Sequence, residues 1–305
     1  MMGADLFAGA GGFSTGAQMA GVKVVWAANH WPAAVQTHAA NHPETEHACQ
    51  DLRQADWSKV PKHDLLLASP CCQGHSQARG KAANNPQHDA SRATAWAVVD
   101  AVEFHRPEFG LIENVPEFLK WALYPAWESA IQKLGYSIAP HVLDAADHGV
   151  PQHRVRLFLV LTRSRAPLHL TFEKKAHTPI SRFLNWGHKT TAIDKPGRAP
   201  ATLARIARGR QEFGERFLAP YYGSGSGLTG RSIHRPIGTI TTLDRWAVVD
   251  GDRMRILQKD EARAAMGFPE SYQLPKQHKL AIHLLGNAVS PIQARDVIAA
   301  LKKAA

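Results

Sequence analysis

The sequence predicts an α/β protein: a mostly parallel sheet covered by helices, with a second, smaller domain of irregular texture. Three observations predict it. The first half alternates short apolar runs with stretches of helical periodicity. After Arg163, prolines, glycines and basic residues interrupt every apolar pattern. Near the end Ala294, Val297, Ile298 and Leu301 fall at i, i+3, i+4 and i+7, one amphipathic helix, which suggests a return to the first domain. The domains so defined are 1–165 with 275–305, and 166–274.

The elements follow in order. "ADLF" (4–7) is a strand that ends in a glycine turn, and "FSTGAQMA" (13–20) is the helix after it. "VKVVWAAN" (22–29) is a β-branched strand, and Pro32 opens the helix of "WPAAVQTHAANH" (31–42), where proline is tolerated. "DLLLAS" (64–69) has the composition of a strand buried on both faces. The helix of 90–105 turns Ala97, Val98, Ala101 and Val102 to one side. "FGLIEN" (109–114) is another strand, followed by a helix from about Pro116 to Leu134. "SIAPHVLDA" and "RLFLVLT" (156–162) pair as a closing edge. "YYGSGSGLTGRS" (221–232) reads as a flexible loop.

Hydrophobic residues make up 44% and charged residues 20%, the balance of a soluble globular protein. No apolar run approaches the roughly 20 residues that cross a bilayer, and "ADLFAGAGG" comes too early to leave room for a signal peptide. Three cysteines make no disulfide framework, and Cys71, Cys72 and His75 are too close for ordinary zinc-ligand spacing. A cytoplasmic protein with reduced thiols and no metal is expected. The net charge is +10, and residues 163–240 hold 14 Lys/Arg against 4 Asp/Glu while the rest carries 22 of each. A basic excess confined to one segment marks that segment as polyanion-facing, and nucleic acid is the expected partner.

Four motifs carry chemistry. In "DLFAGAGGFS" (5–14), Gly9, Gly11 and Gly12 let a ligand lie against backbone N–H groups at a helix start, although Ser14 breaks a strict dinucleotide fingerprint. "SPCCQGHS" (69–76) puts Cys71 and Cys72 just past a buried strand, where α/β folds gather catalysts. A thiolate there is a nucleophile if its proton is taken, and local chemistry does not choose between the two. Glu113 in "GLIENVPEF" follows an apolar strand, a costly place for a carboxylate that function or a salt bridge explains equally. In "VPQHRVRLFLV" (150–160), Arg154 and Arg156 share a strand face by the period of two, suiting an anion or a carbonyl.

Taken together, these stretches resemble the DNA cytosine-C5 methyltransferase family, along nearly the whole chain. "DLFAGAGGF" is similar to its cofactor loop, "SPCCQGHS" to its Pro-Cys-Gln catalytic loop, "ENV" to its glutamate motif and "QHRVR" to its Gln-x-Arg-x-Arg strand. "RPIGTITT" (235–242) and "GNAVSP" (286–291) match its last motifs in order, and the basic segment falls where the family keeps its target-recognition region. The resemblance implies an S-adenosylmethionine-dependent, Rossmann-like sheet and a DNA (cytosine-5-)-methyltransferase. It picks Cys72, next to Gln73, as the nucleophile; Cys71 stands where the family has proline.

The implied chemistry flips the target cytosine out of duplex DNA. Cys72 adds to C6, Glu113 bonds N3 and the amine, Arg154 holds the base carbonyl and Arg156 the backbone or loop. S-adenosyl-L-methionine would meet Asp5, Phe7, Gly9, Gly11, Gly12, Leu52, Pro70 and Asn287, with Asp51 on the adenine amine and Trp31 stacking. His30 replaces the usual glutamate of "Asn-Glu-Trp", which implies a weaker grip on the ribose. DNA contacts are expected from Gln73, Ser76, Arg79, Lys81, Arg231, Arg235 and Thr239. A monomer is expected, with a cognate restriction endonuclease among the partners the resemblance allows. The alternatives are an RNA cytosine-C5 methyltransferase, whose Cys-Phe-Thr element is missing here, and a catalytically weakened DNA-binding homologue.

Overall fold

Seven strands form the main sheet in the order β3-β2-β1-β4-β5-β7-β6. They are β1 (Met2–Leu6), β2 (Lys23–Asn29), β3 (Glu46–Cys49), β4 (Leu65–Ala68), β5 (Phe109–Asn114), β6 (Ser137–Asp144) and β7 (Val155–Thr162). The computed structural model describes residues 1–71, 93–221 and 229–304. Strands β1 to β5 pair in parallel. β7 runs antiparallel between β5 and β6.

The period of two in the strands sorts their side chains between two cores. Leu65 and Leu67 of β4 join Phe13, Val297, Ile298 and Leu301 on one face. Leu66 and Ala68 join Val98, Val102, Trp127 and Ile131 on the other. Helices α1 (Gly12–Met19) and α8 (Pro291–Ala304) contribute to the first core. Helices α3 (Trp96–His105) and α4 (Tyr124–Lys133) contribute to the second, and α2 (Pro32–Asn41) precedes β3. α1 lies so close to the chain entering α8 that an ideal Cβ on Gly12 would stand 2.0 Å from the Val289 carbonyl oxygen, and one on Gly16 2.6 Å from Ala294 Cβ.

By contacts the chain divides into two units: Met1–Ala145 with Val155–Lys174 and Ala288–Ala305, and Ala146–Arg154 with Lys175–Asn287. The borders thus differ from 165/166 and 274/275, and a piece that immediately precedes β7 counts with the second unit. That unit holds α5 (Pro200–Phe213), α6 (Lys259–Ala265), α7 (His278–Asn287) and a four-stranded antiparallel sheet. The sheet's strands are β8 (Thr191–Ala192), β9 (Arg216–Pro220), β10 (Trp246–Asp250) and β11 (Arg253–Ile256), in the order β8-β11-β10-β9. Ile206 of α5 packs with Phe217, Ala219, Val249 and Met254 into a small core. Gly209 and Gly230 make room for the Phe217 ring, which an added Cβ would meet at 2.4 and 2.5 Å.

Two further differences from the sequence reading have local causes. β3 is a short, half-exposed edge strand whose polar "EHAC" carries no apolar signal. The helix expected over 116–134 is two pieces, a 3-10 turn Pro116–Lys120 and α4, because Pro125 sits at the start of α4 and cannot continue a helix through it. No helix among the described residues is long and apolar enough to cross a membrane.

Candidate active site

Because β1 to β5 are parallel, their C-terminal ends share one edge of the sheet, the edge where open α/β sheets bind ligands. The loop leaving β1 turns through Phe7 (φ 60°), Gly9 (φ 53°) and Gly11 (φ 78°) before α1. Ala8 N–H donates to the Ala28 carbonyl at 3.0 Å and Gly11 N–H to the Ala8 carbonyl at 2.8 Å, which ties the loop down. Among the described residues, chain neighbours aside, only the Phe7 carbonyl oxygen, at 3.8 Å, lies within 4 Å of an ideal Cβ on Gly9. Space beside the backbone there suits a ligand. Gly12 differs, since the space at its Cα is taken by the Val289 carbonyl. Asp5 is fully buried and accepts from Ser14 N–H at 3.1 Å and Ser14 Oγ at 2.7 Å. Burial pushes its pKa up to about 7 against those hydrogen bonds.

His30 and Trp31 follow β2, His30 exposed and Trp31 half-buried with its N–H on Asn29 Oδ1 at 2.9 Å. Asp51 and the buried Leu52 follow β3. Both oxygens of Asp51 take hydrogen bonds from the Arg53 guanidinium, which holds its carboxyl below the usual range. An adenine amine would share this carboxylate with Arg53.

β4 delivers Pro70 and Cys71. Asn114 Nδ2 donates to the Pro70 carbonyl at 3.0 Å, and Cys71 N–H to Thr94 Oγ1 at 3.0 Å, so the entry to the cysteine loop is fixed from two sides. Cys72, Gln73, Ser76, Arg79 and Lys81 lie outside the described residues. β5 delivers Glu113, whose Oε1 stands 3.2 Å from Arg156 Nε; the two side chains are 9% and 14% exposed. A carboxylate this buried is held by its guanidinium partner. The structure thus brings Glu113, Asn114, Pro70, Cys71 and Arg156 to neighbouring strands of one sheet.

Arg154 does not share a strand face with Arg156. β7 begins at Val155, and Arg154, 1% exposed, donates to the carbonyls of Ile240 at 3.1 Å and Gly286 at 2.9 Å. Gln152, fully buried, accepts from Ile240 N–H at 2.7 Å and donates to the Ala265 carbonyl at 3.2 Å. Within the second unit Arg154 thus ties Ile240 to Gly286, and Gln152 ties Ile240 to Ala265. Gly286 shows how close that fit is, with an ideal Cβ 2.3 Å from the Thr241 carbonyl carbon. Arg231, Arg235, Thr239 and Asn287 are all exposed in the second unit, and Thr239 Oγ1 also donates to the His153 carbonyl at 2.8 Å. Sequence reasoning missed Ser14, Thr94 and Asn114 as positioning groups. Only Asn114 left a signal, as the middle letter of "ENV". Among the described residues no group of three or more His, Cys, Asp or Glu is placed to hold a metal ion.

A Rossmann-like sheet that gathers a glycine loop, the Pro70–Cys71 turn and a buried Glu–Arg pair at the C-terminal ends of its parallel strands has the architecture of a methyltransferase domain. The family model for C-5 cytosine-specific DNA methylase matches residues 1–202 and 207–303. The chain is 28% identical to Type II methyltransferase M.NlaX of Neisseria lactamica, covering 98% of this chain and 96% of the relative. It is 26% identical to Type II methyltransferase M1.HphI of Haemophilus parahaemolyticus, covering 98% and 86%. Among solved structures, a protein described as a DNA modification methyltransferase encoded within an E. coli prophage superposes with a TM-score of 0.72 at 21% identity, over 100% of this chain and 99% of that one. Spodoptera frugiperda DNMT2 gives 0.69 at 16%, over 99% of each; at these identities both likenesses bear on the fold alone. The chain belongs to the C-5 cytosine-specific DNA methylase family.

Proposed function

We propose that this protein transfers a methyl group from S-adenosyl-L-methionine to C5 of a cytosine flipped out of duplex DNA. The observation that carries the reading is the buried Glu113–Arg156 pair at the end of β5, beside the anchored start of the cysteine loop. The residues at the sheet edge fit the cofactor: open space beside Gly9, the half-buried ring of Trp31, and the carboxylate of Asp51. When bound there, it supplies an electrophilic methyl group.

The chain's own groups do the rest. Cys72, assigned by the Pro70-Cys71-Cys72-Gln73 motif, adds as thiolate to C6 of the base and breaks the C5–C6 double bond. Glu113 bonds N3 and the exocyclic amine, taking up the electron density that addition pushes into the ring. Arg156, rather than Arg154, is placed to meet the base carbonyl, because it shares Glu113's site while Arg154 is committed to two backbone carbonyls. The electron pair at C5 would then take the donor's methyl carbon as that carbon's bond to sulfur breaks, leaving S-adenosylhomocysteine. Loss of the C5 proton to a base expels the Cys72 thiolate and restores the double bond. Duplex DNA is favoured over RNA by the family match, and the basic second unit, with Arg231 and Arg235 exposed, is the reading's target-recognition region. The Type II relatives suggest a partner restriction endonuclease.

Bisulfite sequencing of DNA from cells that express the chain tests the whole reading. Methylcytosine in one recurrent sequence context, abolished by Cys72→Ser, is the expected result. Unmethylated DNA alongside modified tRNA would transfer the activity to RNA.

A further inference from the structure

Behind the glycine loop lie two hydrogen-bond relays that the motifs leave without a purpose. Ser14 Oγ donates its proton to Asp5 Oδ2 at 2.7 Å, so toward His38 Nε2, at 3.0 Å, it is left to accept. Thr15 Oγ1 donates to the Gly11 carbonyl at 2.7 Å and is likewise left to accept from His42 Nε2 at 3.1 Å. With Asp5 ionised, His38 carries its proton on Nε2, and its Nδ1 stands 2.8 Å from His47 Nε2. His38 on α2 and His42 just past its end have ring centroids 4.6 Å apart and are 1% and 8% exposed. An apolar helix face would cover α1 without burying imidazoles, which cost free energy unless every bond is satisfied.

We infer that His38 and His42 are positioning residues for the methyl-donor site, fixing through Ser14 and Thr15 the course of the Phe7–Gly12 loop. The inference rests on the reading of that loop as the cofactor cradle. A neutral His38 fits this relay, its Nε2–H on Ser14 Oγ and its Nδ1 lone pair toward His47 Nε2. Burial, with the neighbouring histidines, holds His38 well below its ordinary value and His42 at about 4, and burial lowers His47 too. The titratable groups facing the relays are Asp5 from β1, His38 from α2, His42 just past its end, and His47 from β3. The component that titrates nearest neutrality is Asp5, at about 7; its protonation spoils the acceptor on which Ser14 depends. Loop order, and with it cofactor affinity, should weaken as pH falls through that value.

Calorimetric titration of the full chain with S-adenosylhomocysteine between pH 6 and 8, beside thermal melts, tests this. Wild type should lose about tenfold in affinity from pH 8 to 6, and Asp5→Asn should flatten that slope. At pH 8, His38→Leu should bind about tenfold more weakly. His38→Gln, which keeps an N–H where Nε2–H was, should stay within about threefold of wild type. Ser14→Ala, a smaller change, should show the same loss and covers the case in which His38→Leu does not fold. Wild-type affinity in folded His38→Leu or Ser14→Ala, or equal losses for Gln and Leu, would overturn the inference and leave the methyl-donor reading standing. No binding by wild type at pH 8 would overturn that reading itself.

Discussion

Arg154 and Arg156 are separated by one residue and meet different partners. The first is buried with two carbonyls of its own unit on its guanidinium, and the second faces Glu113. Arg154→Met should therefore cost about 2–4 kcal/mol of stability, because two buried carbonyls lose their donor. Arg156→Met leaves the buried Glu113 carboxylate without its guanidinium, so it should also lower the melting temperature by several degrees, and it should cut methyl incorporation into duplex DNA about 100-fold or more. Incorporation lost in folded Arg154→Met but kept in folded Arg156→Met would exchange the two roles. His30 makes a second, independent case. Exposed beyond β2, it offers a single neutral acceptor where a carboxylate would take two hydroxyls. His30→Glu should tighten S-adenosylhomocysteine binding about threefold to tenfold, and unchanged calorimetric affinity would remove the idea. At this scale the sequence marked candidate residues and hid what they touch. Glu113 was legible because a carboxylate after an apolar strand breaks the pattern. The split between the arginines was not, because the partners of Arg154 are 86 and 132 residues away.

The parallel strands were the most legible elements, because β4 and β5 are buried on both faces and so read as unbroken apolar runs. Strands β3 and β8 were not, since two to four exposed or half-exposed residues leave no periodicity to read. Glycines misled in a more instructive way. Gly12 and Gly16 look like parts of a ligand loop and its helix, yet both are required by α8 and the segment leading into it. A methyl group on Gly16 would meet the Pro291 carbonyl oxygen at 2.6 Å as well as Ala294 Cβ. Gly16→Ala should therefore destabilise the protein by about 1–3 kcal/mol, the usual cost of overpacking. Adding Ala294→Gly should not restore stability, because the backbone oxygen remains. Full rescue in the double variant, by thermal melt, would show that the helices separate more easily than their spacing implies.

Charge on the whole molecule is distributed unevenly. The basic excess in residues 163–240 was legible from counting alone, and the exposed Arg231 and Arg235 lie in it. The histidines were not legible in this way, because a count of 17 says nothing of their surroundings. The structure sorts out seven, His38, His42, His47, His63, His105, His141 and His283, whose pKa lies below the ordinary value, chiefly through burial. A histidine held neutral in the folded state regains its usual affinity for protons on unfolding. Between its ordinary value near 6.5 and its lower folded value, the unfolded chain therefore binds more protons, and stability falls as pH falls. For His42 and His105 that window reaches down to about 4. Asp5 acts in the opposite sense, because its raised pKa makes the folded state the better proton acceptor between about 4 and 7, and it offsets part of the loss. Asp100, whose pKa burial also raises, acts in the same sense as Asp5, and seven imidazoles against two carboxyls should leave acid as the destabilising direction. The melting temperature is expected to drop by about 5–10 °C from pH 7.5 to pH 5, well before ordinary carboxylates titrate. A melting temperature that stays level or rises to pH 5 would mean that these imidazoles reach water in the folded protein.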